Sequence, residues 1–533
     1  ARLSGYLHDL GKFGVMFQDK LAGTGPMADA VRHEWLSLHV IQELKHASSD
    51  NPLDRLSTSW DAAWSTAAKG KLNRISSITT AKAPLSAGLR DAWSTLLFLV
   101  FTHHRLPGDQ GHGTNMLSDA AYIDDSKVAP ALAKVVPVAS PSSLTVDLVK
   151  KTASRLAAIT SGVGTDPLFW RAVATVARMG LILSDHSVSS ADKTNEAGHG
   201  PDLQRRIRSN QIKAAFANTI RLPDGTRSMN QELNWHLQNV GDGASEFVSQ
   251  FARFTPAGLS DAVLANLRAP TTGRFVWQGQ SADMLRAAQA SENLPTLVFN
   301  VAGTGCGKTR MNAVAVAALR EIDGSDGSVR FATALNLRTL TLQTRDAYAT
   351  QLGMGDDELA CVIGSSIAKL LHEARTQESK QIPDKKWGID EDGNPPEESF
   401  EVLGGSSEAP AWLEHFLVRK PTMRPLVMSP VLVCTIDHLI KAGEPTEQGN
   451  HALTNLRLMT SDLVLDEIDS YDPKALVATV PLTMEVVEDA KNLDAALRMS
   501  LAGAFATKLD ALTITTILAD TNIATSAAAE DCG

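Results

Sequence analysis

Two groups of residues in this chain have types and spacings that could do chemistry. The first is Ala302-Gly303-Thr304-Gly305-Cys306-Gly307-Lys308-Thr309, with an apolar run at 297–301 ahead of it and a helical pattern from Met311 behind it. A strand, a glycine-rich turn and a helix in that order are the setting of a phosphate-binding loop. Gly303, Gly305 and Gly307 let backbone N–H groups turn toward phosphate oxygens, Thr304 and Cys306 complete the cradle, and the helix N-terminus adds its positive dipole end. Lys308 would reach the β- and γ-phosphates, and the Thr309 hydroxyl would hold Mg2+. Such a loop requires an acidic partner. Leu463-Val464-Leu465-Asp466-Glu467 reads as a strand delivering Asp466 to the Mg2+ shell and Glu467 as the base that orients the attacking water. The second group is His8-Asp9, His33, His103-His104 and Asp185, all at the ends of helical stretches. A single histidine near a helix end is an ordinary surface or capping residue. Together, imidazole and carboxylate make a ligand set suited to Mg, Mn, Fe or Ni.

The elements that must position these groups differ between the two halves of the chain. Residues 1–215 read as mostly helical, with apolar residues at helical spacing over 30–44, 89–101 and 168–183. From 190 to 274 the pattern loosens, with turn or linker signals at 198–201, 223–225 and 270–273. Strand patterns at 297–301, 328–335, 359–362, 431–437 and 463–465 then alternate with helical ones, as a parallel sheet requires. A polar stretch rich in Pro, Gly, Ser and Glu at about 373–424 reads as a flexible insertion. Beyond 475 an Ala- and Leu-rich pattern over 484–519 suggests two helices in a tail. The expected fold class is α + α/β: an all-helical domain, one parallel α/β domain and a helical tail.

Composition narrows the function. A chain of 533 residues with a 43% hydrophobic fraction is that of a soluble globular protein of about two to four domains. Its longest conspicuous apolar run, 96–101, is too short to span a membrane, so no membrane partner is expected. Four scattered cysteines make neither a metal pairing nor a disulfide framework and fit a reducing cytoplasm. The net charge of −10 argues against a wholly basic nucleic-acid coat but permits a local basic groove. Arg205, Arg206, Arg208 and Lys213 are candidates for backbone contacts, although a solvated helix face is the plainer reading.

Leu7-His8-Asp9-Leu10-Gly11-Lys12 resembles the signature of HD-superfamily metal phosphohydrolases. With Arg32-His33-Glu34, Thr102-His103-His104-Arg105-Leu106-Pro107 and residues 184–190, it resembles in order and spacing the HD nuclease of the CRISPR type I helicase-nuclease (the Cas-three family), most closely type I-F. The loop at 302–309 is similar to the A-x-T-G-x-G-K-T form of superfamily 2 helicases. The resemblance implies an HD nuclease domain over 1–215, a connector over 216–270 in which His236-Leu237 falls, a first RecA-like helicase domain over 271–475, and an unassigned tail over 476–533. It implies that His8, Asp9 and Asp185 bind one metal and His33, His103 and His104 a second. The ions would be divalent transition metals (Mn2+, Ni2+, Co2+ or Fe2+), with Lys12 steadying the developing charge. In the helicase part it implies ATP with Mg2+, Gln278 reading the adenine edge with Gln280 second, Arg338, Thr339 and Gln343 gripping single-stranded DNA, and Thr435 and His438 lining the strand's path. The implied partners are an RNA-guided surveillance complex of the Cascade type, a Cas-one/Cas-two-type integrase and phage anti-CRISPR proteins.

Three departures qualify this. The family's first metal-binding histidine lies upstream of the His-Asp doublet, and the first residues read as mid-helix, so an N-terminal truncation is expected. Ile468 replaces the usual proline after the Asp-Glu pair without changing the chemistry. After about residue 473 neither a Ser-Ala-Thr motif nor a second RecA-like domain follows, so little processive unwinding is expected of this chain alone. Residues 487–490 and 504–510 faintly resemble a helix of tailed-phage major capsid proteins. Two rival readings are an HD phosphohydrolase acting on nucleotides and a non-catalytic remnant that binds DNA or ATP.

Overall fold

The computed structural model describes residues 1–23, 33–45, 52–58, 89–104, 139–191, 214–221, 225, 227–292, 296, 298–303, 305–320, 328–364, 400–406, 408–417, 422–440 and 448–466. The chain separates into two compact units, Ala1–Arg253 and Phe254–Gly533. Thr304, Glu467, the basic cluster at 205–213 and the tail at 476–533 lie outside the described residues.

In the first unit the described helices are α1 (Arg2–Leu7), α2 (Val15–Leu21), α3 (His33–Lys45), α4 (Pro52–Thr58), α5 (Ala92–Thr102), α6 (Ser143–Thr160), α7 (Pro167–Ser189) and α8 (Leu233–Phe251), with a short antiparallel hairpin of β1 (Thr219–Arg221) and β2 (Arg227–Met229) ahead of α8. α5 is apolar nearly all round and almost entirely buried, which makes it a central helix. A capping box starts it: Ser94 N donates to Asp91 Oδ1 at 2.6 Å, and Asp91 N donates to Ser94 Oγ at 3.2 Å. Leu3, Tyr6 and Leu7 of α1 share the core with Trp93 and Leu97 of α5 and with Leu233 and Leu237 of α8.

The expected connector over 216–270 needs correcting. Its α8 carries a buried stripe of Leu233, His236, Leu237, Val240, Gly241, Ala244 and Phe247, which is one helical face, and that face packs on α1 and α7. A helix that buries such a stripe belongs to the unit it packs in. The turn signal at 223–225 falls, in sequence, between the two strands of the hairpin.

The second unit contains α9 (Asp261–Arg268), a 3-10 turn at Gly273–Phe275, α10 (Val276–Glu292), α11 (Lys308–Arg320), β3 (Phe331–Leu335), α12 (Arg338–Leu352), β4 (Leu359–Gly364), β5 (Phe400–Leu403), α13 (Ala411–Leu417), α14 (Met423–Met428), β6 (Val431–Thr435), α15 (Ile436–Ile440), α16 (Gln448–Met459) and β7 (Asp462–Leu465). The sheet order is β5-β4-β6-β3-β7, parallel throughout except for antiparallel β5. Every residue of β3 and β6 is buried, so these strands read as continuous apolar runs without alternation.

Two expectations fail here. Residues 400–424, the last part of the flexible insertion expected at about 373–424, contain an edge strand, a helix and the start of a second helix. Val402 pairs with Val362, and Leu413, Phe416 and Leu417 bury one face of α13. The surrounding Pro, Gly and Ser hid a short strand and a helical apolar spacing. The strand ahead of the glycine-rich loop is also absent among the described residues: Val298, Phe299 and Val301 are 36%, 48% and 66% exposed. An apolar run becomes a strand only with a ladder partner, and among the described residues the edge strand β7 pairs with β3 alone.

Candidate metal centre and nucleotide loop

The ends of five helices bring the acidic and imidazole groups together. His8 and Asp9 follow α1, His33 opens α3, His103 and His104 follow α5, Asp185 lies near the end of α7, and His236 sits one turn into α8. Asp9 is central and fully buried. Its Oδ1 is 3.2 Å from His33 Nε2 and 3.4 Å from His103 Nε2. Its Oδ2 is 3.2 Å from His8 Nε2, 3.6 Å from His236 Nε2 and 2.6 Å from Lys12 Nζ. His236 Nε2 and His8 Nε2 lie 3.3 and 3.8 Å from Asp185 Oδ1. His33 and His104 face each other nitrogen to nitrogen, Nε2 to Nε2, at 2.8 Å. Two ligand groups result, each spanning less than 4.8 Å: Asp9, His33, His103, His104 and His8, Asp9, Asp185, His236.

The imidazoles are oriented from behind. His8 Nδ1 meets Gly5 O at 2.8 Å and His103 Nδ1 meets Val100 O at 2.6 Å, and carbonyls only accept, so both rings carry Nδ1–H and turn Nε2 inward. The buried Arg178 guanidinium donates to Thr102 O from Nε at 3.0 Å and Nη2 at 2.7 Å, capping α5 where His103 begins. Burial pushes His104 well below the ordinary imidazole range, helped by His103. It lowers His103 as well, so both rings are held neutral, the form that ligates metal. Burial acts on His8 in the same direction, but the Asp9 and Asp185 carboxylates outweigh it and push His8 up to about 10. Burial alone would raise Asp9, yet His8 and Lys12 hold it well below the usual carboxylate range. The centre thus gathers two ionised carboxylates and the inward-facing Nε2 atoms of several imidazoles.

A fit test for cations follows from satisfaction. His8 Nε2, both Asp9 oxygens, His103 Nε2 and His236 Nε2 are buried with no properly directed hydrogen-bond partner. Orphaned buried polar atoms are costly, and here they converge from several elements on two points. Borderline N and O donors of this kind fit divalent transition metals.

Close backbone approach holds the ligand-bearing elements in place. A Cβ on Gly11 would lie 2.1 Å from His33 O and 2.7 Å from Leu36 Cβ, and Gly11 N donates to Ser37 Oγ at 2.8 Å. Gly11→Ala is expected to push α3 and His33 off the centre and to cost about 1–3 kcal/mol, as overpacking against rigid neighbours does. Thermal or urea unfolding of the variant checks it. Unchanged stability would mean that the turn yields.

In the second unit, the glycine-rich loop closes on the first turn of α11. Gly305 and Gly307 adopt φ of +81° and +84°, conformations that favour glycine. Cys306 N donates to Gly303 O at 3.3 Å, and Asn300 Nδ2 donates to Asn312 Oδ1 at 2.7 Å. Lys308 opens the helix, three residues ahead of the expected start. Gln278, on α10, is only 1% exposed and donates from Nε2 to Gly307 O at 3.1 Å, while its Oε1 is buried without a partner. Gln280 is exposed. Asp466 N donates to Ala334 O at 3.1 Å, extending the β7–β3 ladder. Thr339 and Gln343 are exposed on α12, and His438 is half-buried on α15. Arg338 opens α12, and its side chain lies outside the described residues. Thr435 departs from expectation: it is 4% exposed, and as the last residue of the central strand β6 its burial takes it out of the surface-facing set.

All six metal candidates converge, and the structure adds a seventh, His236. A usable signal existed: a histidine inside the apolar stripe of an amphipathic helix must find a partner in the interior.

A helical unit built on a paired His/Asp centre, followed in the same chain by an α/β unit with a glycine-rich loop at a helix N-terminus, defines a two-part class of protein. No protein-family model matches the chain. It is 30% identical over 525 residues to the CRISPR-associated nuclease/helicase Cas3 subtype I-F/YPEST of Pectobacterium atrosepticum, covering 90% of this chain and 44% of that protein. It is 30% identical over 508 residues to the protein of the same name from Pseudomonas aeruginosa, covering 88% and 43%. The chain belongs to the type I-F Cas3 nuclease/helicase family, and it spans less than half the length of these curated relatives. A T. fusca Cas3–ATP crystal structure aligns over 90% of this chain and 46% of its own at 16% identity, with a TM-score of 0.32, too loose a superposition to carry an argument.

Proposed function

We propose that the chain is the nuclease and first motor portion of a CRISPR interference effector. In this reading the helical unit cuts single-stranded DNA, and the α/β unit binds ATP as the first RecA-like half of the motor that moves along that strand in the cytoplasm. The observation that carries the reading is Asp9, whose two oxygens face separate ligand groups of buried, unpartnered atoms. His8, Asp9, Asp185 and His236 would hold one ion, and Asp9, His33, His103 and His104 the other. When bound, two divalent ions such as Mn2+, Ni2+, Co2+ or Fe2+ supply the Lewis acidity that activates a water and stabilises both oxygens of an in-line phosphodiester displacement. Lys12, 2.6 Å from Asp9, holds the shared carboxylate ionised and would steady charge on the phosphate.

The nucleotide reading rests on the loop geometry. Gln278 spends its amide N–H on Gly307 O and keeps Oε1 for a donor such as the amino group of adenine. Lys308, Thr309 and Asp466 would hold the phosphates and Mg2+, with Glu467 as the base. Thr339, Gln343, Arg338 and His438 would contact the DNA backbone, presented by an RNA-guided surveillance complex of the Cascade type. A Cas-one/Cas-two-type integrase and anti-CRISPR proteins are further partners of this reading.

The test is to incubate the purified chain with Mn2+ or Ni2+ and either circular single-stranded DNA or a set of nucleoside triphosphates. Metal-dependent cutting of the DNA, abolished by EDTA, is the expected result. Hydrolysis of nucleotides alone, lost in Asp9→Ala, would make the helical unit a phosphohydrolase, and metal-dependent turnover of neither would leave a binding protein.

A further inference from the structure

We infer that Gln231 is the positioning residue that sets the tautomer of His236 and fixes it against Asp185. The inference rests on the proposed metal reading of the cluster. Gln231 lies between β2 and α8, fully buried, its own backbone held by the bond from Ala217 N to Gln231 O at 2.9 Å. Its side-chain amide uses every hydrogen-bonding position it has. Nε2 donates to Val188 O and to Ala191 O, both at 2.7 Å, at the end of α7 one turn beyond Asp185. Oε1 accepts from Asn218 Nδ2 at 3.3 Å and meets His236 Nδ1 at 2.9 Å.

This arrangement allows one orientation only. Carbonyl oxygens accept and never donate, so the amide nitrogen must face Val188 and Ala191. The opposite flip would put Oε1 against two carbonyls. The amide oxygen therefore faces His236, which must answer with a proton on Nδ1. The lone pair is left on Nε2, which points at Asp185 Oδ1 at 3.3 Å and Asp9 Oδ2 at 3.6 Å. His8 and His103 reach the same state against backbone carbonyls, which substitution cannot remove. His236 depends on a side chain. Gln231 also ties the end of the Asp185 helix to the start of the His236 helix, so one amide sets both the tautomer of one ligand and its distance from another.

Two measurements test this. The first is nitrogen NMR of the metal-free, 15N-histidine-labelled chain, in which His236 should carry its proton on Nδ1. In Gln231→Met, which keeps the volume and removes the amide, the signal should move to a mixture of tautomers. The second is Mn2+ titration. Gln231→Met should weaken one of the two sites roughly 10- to 100-fold, as loss of an outer partner does, and leave the other unchanged. A purely structural role would lower the melting temperature and weaken both sites alike. The inference is overturned by a proton on Nε2 of His236 in the unsubstituted chain, or by equal Mn2+ affinities of both sites in folded Gln231→Met. If the unsubstituted chain takes up no Mn2+, the metal reading fails by itself, and the tautomer measurement still decides the role of Gln231.

Discussion

Asp9→Ala is expected to empty both metal positions at once and to lower DNA cleavage by about 10³-fold or more. No other described residue belongs to both ligand groups. Its Oδ1 serves His33 and His103, and its Oδ2 serves His8, His236 and Lys12. Alanine removes a ligand oxygen from each position and the negative charge that offsets a cluster of imidazoles. Metal assistance supplies several kcal/mol of charge stabilisation, and about 1.4 kcal/mol is a factor of ten in rate, which gives the magnitude. The contrast is His104→Ala, which touches one group only and should leave one ion bound. Metal content of the purified variants, measured by mass spectrometry after Mn2+ loading and desalting, separates the two. Two ions retained by Asp9→Ala would remove the bridging role and the shared centre with it.

Much of this centre is legible in the sequence because it is made of residue types that rarely gather for another reason. His8-Asp9, His33, His103-His104 and Asp185 fall at helix ends, and helix ends are what a helical unit points at a common interior site. His236 escapes the same logic because it sits within a helical stripe, between Leu233 and Leu237, where an apolar periodicity draws the eye to packing. Its partner Gln231 precedes the helix by one N-cap residue, and only the fold shows that two carbonyls at the end of α7 meet it. His236, late in the sequence of this unit, lies in one ligand group with His8, Asp9 and Asp185. Sequence order alone does not show which residues a fold makes neighbours.

The α/β unit is legible where burial is complete. β3 and β6 are apolar but for Thr333 and Thr435, are buried at every residue, and sit in the interior of the sheet. β5 is short, at an edge, and carries Glu401 between apolar neighbours, so nothing in its composition separates it from the polar stretch before it. The run at 297–301 is the opposite case. Its apolar pattern matches a buried strand, but Phe299 and Val301 remain exposed, because pattern specifies a preference for burial and not the partner that provides it.

The glycine-rich loop supports the second large prediction. Gly307→Ala is expected to lower ATP affinity at least tenfold and to destabilise the second unit by about 1–2 kcal/mol. At φ +84° an L-residue meets the Cβ–carbonyl crowding of the left-handed region, the source of that energy. The new Cβ would also fall 2.5 Å from Gln278 Nε2 and 3.1 Å from the Phe275 ring. Gln278 is buried and cannot swing to solvent without leaving Gly307 O, so relief must come from moving the loop away from α10. That separates the proposed base-reading amide from the phosphate cradle, and a misplacement of this kind costs binding at both ends of the nucleotide. About 1.4 kcal/mol accounts for each factor of ten. Lys308→Ala is the control: it removes a charge from a half-exposed helix start without strain, so affinity should fall while the melting temperature stays. Titration with a fluorescent ATP analogue, paired with thermal unfolding, reads both. Full ATP affinity in Gly307→Ala would show that nucleotide does not use this loop. A loss in Lys308→Ala alone would show that the loop tolerates displacement and that charge governs the site.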